Sequence, residues 1–331
     1  MHGFVNRNLA LFKFSKMVSD IQNQKLLYKV AKAYYEDNLT QQQIAGRFGL
    51  SRVKVSRMLS RARQSKIVQI TIPPPQSSNA DLEREIEAKY NIKEAVIITP
   101  SGRDTDTIIS ELGPVTAQYL LRCMNGSEIV AISWGNTLLS VVNSLPAANM
   151  PDVRVAQIIG GLGELEAEVH GAELTRRTAQ ALGARPRLLH APGIVKNKSV
   201  RDALVNDPQV SGTLKLAAKA DIALVGMGAF RKGSTLLNTR ILPTTQIKAL
   251  KAAGAIGDIA LQFFDKYGAK IKSTVDKQII GLNIDNIKKI PRVIGVAGGN
   301  EKINVIRAAL LGGLINVLIT DNSVAVNLLK N

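Results

Sequence analysis

The chain lacks most of the residues that disulfide, metal or membrane chemistry requires. It has one cysteine, Cys123, which excludes an intrachain disulfide and a cysteine-based metal cluster. The three histidines, His2, His170 and His190, are scattered with no zinc spacing. No apolar run approaches the roughly 20 residues a bilayer-spanning helix needs. The apolar stretch Leu9-Ala10-Leu11-Phe12 is too short for a signal-peptide core and has no clear cleavage site after it. No internal repeat is present. Gly161-Leu162-Gly163 does not continue into the dinucleotide fingerprint, and no suitably placed acidic residue follows a first strand, which argues against a nicotinamide cofactor. These absences predict a cytoplasmic protein with no metal, no cofactor and no membrane partner. Residues 1–19 read as a disordered tail, with Met17 an alternative start.

Acidic residues are scarce where basic ones gather. Residues 1–72 hold 13 Lys and Arg against 3 Asp and Glu, a net of +10. Residues 73–331 hold 30 against 23, only +7 over more than three times the length. Positive charge concentrated in so short a stretch is the electrostatic footprint of phosphate contact.

What stands in that stretch is a helix-turn-helix pattern from Leu39 to Leu59. Thr40 and Gln43 have the spacing of a capping box. Ile44, Ala45 and Phe48 fall on one helical face. Gly49 permits the left-handed conformation that ends a helix. Ser51 can cap a second helix whose buried stripe is Val55, Met58, Leu59 and Ala62. That leaves Ser51, Arg52, Val53, Lys54, Ser56 and Arg57 facing outward at the start of the second helix, where a helix-turn-helix reads base edges in the major groove. Arg and Lys there can pair with guanine edges or phosphates, and Val53 can touch a thymine methyl. Thr40 and Gln41, at the start of the first helix, complete the expected DNA-contacting set. The competing reading is an ordinary helical hairpin with a solvated basic face. Caps, turn and basic helix start all favour the DNA reader.

Lys25 to Tyr35 predicts a preceding helix, and the alternation Ile67–Ile72 predicts a short strand, hence a winged element. The run Pro73-Pro74-Pro75-Gln76-Ser77-Ser78-Asn79 reads as an extended linker. The predicted organisation is a tail over 1–19, a DNA-binding domain over 20–72, a linker over 73–80 and a large domain over 81–331.

The large domain alternates short apolar runs with amphipathic segments. Strands are predicted at Ala95–Thr99, Ile129–Ser133, Val153–Ile159, Arg187–His190, Ile222–Val225, Val293–Ala297 and Ile315–Thr320. Helices are predicted at Asp81–Tyr90, Asp104–Met124, Glu168–Leu182, Glu301–Leu311 and Asn322–Lys330. Strands apolar on both faces imply an α/β fold with helices covering a mostly parallel sheet. Several strand ends run into glycine-rich turns: Trp134-Gly135-Asn136-Thr137, Gly160-Gly161-Leu162-Gly163, Gly226-Met227-Gly228 and Gly298-Gly299-Asn300-Glu301-Lys302. Such turns let backbone amides approach an anion, and together they point to one phosphate-bearing ligand.

Read with these motifs, the chain from about Leu26 to Leu329 resembles the SorC family of bacterial transcriptional regulators. The resemblance is carried by the helix-turn-helix, by Trp134-Gly135-Asn136-Thr137, Gly160-Gly161, Ala191-Pro192-Gly193-Ile194-Val195 and Ala220 to Gly228. It continues through Gly254 to Ile259, Phe263-Phe264-Asp265, Ile294 to Gly299, Lys302, Ala308-Ala309-Leu310 and Leu318-Ile319-Thr320-Asp321. It implies a sugar-binding domain with the fold of sugar-phosphate isomerases, used as a sensor. It also implies oligomers, commonly tetramers, on operator DNA, with a sugar or sugar phosphate altering that binding.

Carried onto this sequence, the resemblance makes Gly135, Asn136, Thr137 and Lys302 a phosphate cradle, with Gly161 in the neighbouring turn. It makes Asp258 an acceptor of sugar hydroxyls, and His170 and Glu173 polar residues of the pocket. For Asp258 the competing reading is a helix cap after Gly257. For Lys302 it is a solvated lysine near a helix start, and for His170 a surface position. The segment Phe230 to Thr244, with Arg231, Lys232 and Arg240, is expected to line the pocket entrance. Two other functions stay open at this point. One is a sugar-phosphate isomerase or deaminase with an accessory DNA-binding unit, Asp258 and Lys302 serving as base and electrophile. The other is a constitutive DNA-binding protein whose large domain only oligomerises.

Overall fold

A computed structural model describes residues 23–70, 78–161, 171–230 and 242–330. The tail over 1–19, Ile72, the proline run, Gly163, His170, Arg231, Lys232 and Arg240 lie outside the described residues. The chain divides into two compact units, Met1–Pro73 and Pro74–Asn331.

The first unit is helical. A helix over 23–35 is followed by Gln41–Phe48 and Arg52–Gln64. Thr40 and Gln43 form the capping box: the Thr40 hydroxyl accepts from Gln43 N at 3.3 Å, and Gln43 Oε1 accepts from Thr40 N at 2.9 Å. Gly49 ends the helix at φ 64°, and Ser51 caps the next by accepting from Lys54 N at 3.2 Å. Val30, Ala33, Ile44, Ala45, Val55 and Leu59 form the core, with Phe48 and Met58 half-buried against it. The strand expected over Ile67–Ile72 is absent across 67–70. Lys66 turns left-handed at φ 59° and Val68 N folds back onto Ala62 O at 3.1 Å. Alternation alone cannot make a strand where no neighbouring strand supplies ladder partners.

The second unit is an α/β layer structure. Its main sheet has seven strands in the order β1-β10-β9-β5-β2-β3-β4. These are β1 Glu94–Ile98, β2 Ile129–Ile132, β3 Arg154–Gln157, β4 Arg185–Arg187, β5 Ile222–Gly226, β9 Arg292–Val296 and β10 Val317–Asp321. All pairings among them are parallel. Alternate strand residues feed two separate cores. Ala131, Ala223, Val225, Val293 and Leu318 point to one face. Val130, Ile132, Leu224, Ile294 and Ile319 point to the other. That period-2 division, with both sides apolar, is what makes each strand read as a continuous hydrophobic run. Helices Thr105–Arg122, Asn136–Asn143 and Gly171–Leu182 contribute Leu112, Leu138 and Leu174 to the second core. Helices Ala80–Tyr90, Ile303–Leu311 and Asn322–Leu329 contribute Ile86, Ile306 and Leu328 to the first.

All seven predicted strands join the main sheet, but the fourth is displaced from Arg187–His190 to Arg185–Arg187. This strand is the open edge, so its three residues are exposed and need no apolar side chains. Leu188 and Leu189 instead leave the ladder, their backbone held by Thr213 Oγ1 at 3.1 Å and Gln157 Oε1 at 3.1 Å. A second, antiparallel sheet pairs β6 Gly228–Ala229, β7 Gly257–Ile259 and β8 Gln262–Phe264. Its β7–β8 turn places Ala260 and Leu261 at φ 50° and 59°. Both signs match a tight hairpin turn normally written Asn-Gly, which is why no hairpin was predicted here.

Candidate functional site

In the first unit, the helix Arg52–Gln64 presents Arg52, Val53, Lys54, Ser56 and Arg57 to solvent while Val55 and Leu59 are buried beneath them. Val53 is 61% exposed, so its methyl groups are free to meet a partner surface. Ser51 and Thr40 are exposed, with their hydroxyls engaged as caps, and Gln41 is half-buried. Arg61 and Arg63 extend the basic face, and the helix carries no acidic residue. These two arginines were not singled out from the sequence, because periodicity marks the groove-reading helix start more clearly than its flank.

In the second unit the chain order reverses at one place in the sheet. From β2 it winds outward through β3 and β4, then returns to β5 on the other side of β2 and winds through β9 and β10. The crevice outside the carboxyl ends of β2 and β5 is therefore the switch point, where open α/β sheets take their ligands. Trp134-Gly135-Asn136-Thr137 leaves β2 there, and Gly226-Met227-Gly228 leaves β5. Gly135 stands at φ 119°, a conformation that favours glycine, and precedes the helix Asn136–Asn143. Among the described residues no side chain caps that helix, so its first-turn N–H groups can donate to an anion.

Lys302 comes in from the turn after β9 and donates to Met227 O at 2.7 Å. Gly228 pairs with Asp258 across the small sheet. A Cβ on Gly228 would lie 2.1 Å from Asp258 Oδ1, so only glycine admits this approach. Asp258 is 6% exposed and its Oδ2 accepts from Leu261 N at 2.9 Å. Burial pushes its carboxyl up to about 6, against the opposing pull of the Leu261 N–H and the Lys302 charge. Asp258 thus caps a hairpin turn, not a helix. Met227, Gly228, Asp258 and Lys302 are brought together, and the turn Gly135–Thr137 lies at the adjoining strand end.

The lysine-bearing turn has its own anchor, which the sequence reading left without a role. Asp321, fully buried at the end of β10, accepts from Gly299 N through Oδ2 at 2.6 Å. Its Oδ1 accepts from Val324 N at 3.1 Å and from Ser323 Oγ at 2.5 Å, capping the last helix. One carboxylate therefore fixes both the turn that carries Lys302 and the helix start beside it. The legible signal was the Asp directly before the predicted helix from Asn322.

Other expected residues are engaged with other partners. Gly161 donates to Ala191 O at 2.8 Å and accepts from Gly193 N at 2.6 Å, so both its backbone groups are spent on Ala191-Pro192-Gly193. A Cβ on Gly160 would lie 2.5 Å from Ala191 O, so this glycine pair serves close packing. Glu173, in the first turn of Gly171–Leu182, pairs with Arg176.

A family model described as "Putative sugar-binding domain" matches residues 75–330. The deoxyribonucleoside regulator of Bacillus subtilis is 30% identical over 306 residues, covering 92% of this chain and 97% of that protein. The sorbitol operon regulator of Klebsiella pneumoniae is 31% identical over 310 residues, covering 92% and 98%. The full-length crystal structure of that regulator aligns with a TM-score of 0.73 over 92% of this chain and 98% of its own. A DNA-binding unit followed by a sugar-binding domain, matched along nearly its whole length, places the chain in the SorC family of transcriptional regulators.

Proposed function

We propose that this regulator binds double-stranded operator DNA through residues 20–72, joined by a linker over 73–80 to an effector and oligomerisation domain over 81–331. Arg52, Lys54 and Arg57 supply base and phosphate contacts, with Thr40, Gln41, Ser51, Val53 and Ser56 alongside them. The effector is a phosphorylated sugar or polyol held in the switch-point crevice. Gly135, Asn136 and Thr137 cradle the phosphate with backbone and side-chain donors, and Lys302 supplies a point charge. Asp258 accepts sugar hydroxyls. The family resemblance adds Gly161, His170 and Glu173 to the effector's surroundings, with Glu173 turning from Arg176 when the effector is bound. The observation that carries this reading is the convergence of Met227, Gly228, Asp258 and Lys302 beside an uncapped helix start.

The domain acts as a sensor without turnover, in the cytoplasm, and assembles as a homotetramer on paired operator sites. The effector shifts the balance between two arrangements of the oligomer by binding one more tightly, and that difference sets the change in operator affinity. The matched domain is described as sugar-binding and one relative is named a sorbitol operon regulator, which favours a sugar or polyol signal.

The test is binding of the purified protein to its own upstream DNA at fixed salt, across matched pairs of free and phosphorylated sugars and polyols. A change in affinity with one phosphorylated compound and not its free form is the expected result. Operator binding indifferent to every pair would reduce the large domain to an oligomerisation unit. Conversion of any compound would restore the enzyme reading.

A further inference from the structure

We propose a second anion site at the open edge of the main sheet, suited to a small phosphate ester. A cavity of about 660 Å³ lies between β4 and the helix Pro208–Ala217, lined by Arg154, Arg187, His190, Gln209, Thr213 and Leu216 among others. Its size falls in the range of small-metabolite sites. None of the lining residues belongs to the switch-point group.

The cavity gathers positive charge without answering it. Among the described residues, the side chains of Arg154, Arg187 and His190 have no hydrogen-bond or ion-pair partner, and no carboxylate lines the space. Asp207, just before the helix, is spent on Gln209 N at 2.9 Å and Val210 N at 3.1 Å. Arg154 and the exposed Arg187 both line this one concave space, and a guanidinium fork suits a phosphate. Gly212 lines the same space, and a Cβ there would meet nothing within 4 Å, so a larger side chain at this position has room to enter the cavity.

The edge is also unsuited to an added strand. Arg185 N is bonded inward to Val153 O at 3.0 Å, so the next residue faces outward, and that residue is Pro186, which has no N–H. The chemistry selects a compact anion.

The test is arginine modification of the full-length protein by phenylglyoxal, read peptide by peptide, with inorganic phosphate or glucose 6-phosphate present. Either anion should slow modification of Arg154 and Arg187 together by about threefold or more, as a ligand at about twice its dissociation constant must. The exposed Arg103 should react at an unchanged rate. Arg154→Ala should abolish protection at Arg187, and Gly212→Leu should abolish it at both arginines without removing a charge. Protection that survives both substitutions, or no protection at either arginine, overturns the proposal. Protection by duplex DNA alone overturns it too, since the phosphate would then be a backbone one. Because the readout involves neither operator binding nor Lys302, its failure is distinct from failure of the switch-point effector reading.

Discussion

Replacing Asp258 by Asn should make the protein more stable near neutral pH while blunting its response to effector. Burial raises the Asp258 carboxyl from an ordinary 3.8 to about 6. Each unit corresponds to about 1.4 kcal/mol, so the ionised form costs the folded state about 3 kcal/mol. The sign follows from linkage. With the folded value raised, the group's contribution is fully present below about pH 4 and is lost as pH rises through about 6. An amide stays neutral and keeps an oxygen for Leu261 N, but its NH2 group stands beside Gly228 in place of Oδ1 as a buried donor, which costs about 1 kcal/mol. The net gain above pH 7 is about 2 kcal/mol, or roughly 4–8 °C in the melting temperature of a domain this size. Thermal unfolding of wild type and Asp258→Asn from pH 4 to pH 8 checks this. Because the amide's cost of about 1 kcal/mol does not depend on pH, the variant should be slightly less stable than wild type near pH 4. The two curves should cross as pH rises, and the variant should be the more stable protein above about pH 6. A variant less stable than wild type at pH 8, or a difference that ignores pH, would refute the argument that this carboxylate is held at a cost for the ligand.

Other substitutions separate the functions. Arg57→Ala should weaken operator binding and, where its contact is a phosphate, lower the salt slope by about 1, measured by binding across a salt series. Thr40→Ala breaks the capping box and should cost the first unit about 1 kcal/mol, visible as a lower unfolding midpoint with the large domain unchanged. Asp321→Asn keeps an oxygen for Val324 N but sets an NH2 against Gly299 N–H, at a cost of about 1–3 kcal/mol. It should raise the effector concentration needed for response while leaving effector-free operator binding intact. Lys302→Ala should do the same more strongly, and adding Asp321→Asn to it should change little further if the two act through one turn.

The strands were legible because each is apolar on both faces and short, and helix starts were legible where a capping residue precedes them, as at Thr40, Ser51, Asp104 and Asp321. Three things hid. The edge strand Arg185–Arg187 carries no apolar signal because nothing covers it. The β7–β8 hairpin uses Ala260-Leu261 where glycine or asparagine would announce a turn, and its conformation is imposed by the Asp258 bond and by Phe263 and Phe264 buried beneath. The helix Lys198–Asn206 buries no residue fully, so its stripe was faint. At the candidate site, the motifs found Gly135, Asp258 and Lys302, but the glycine turns all looked alike. Only the structure separates Gly135, needed for its backbone conformation, from Gly160, needed so that two segments of the chain can touch.

The central claim is that effector and operator are coupled, and coupling is reciprocal. The decisive measurement is effector affinity by calorimetry, with and without saturating operator DNA, using the compound that shifts operator binding. The account predicts that DNA changes effector affinity by the same factor by which effector changes DNA affinity, and that Lys302→Ala removes both effects. Effector affinity unchanged by operator DNA would contradict it.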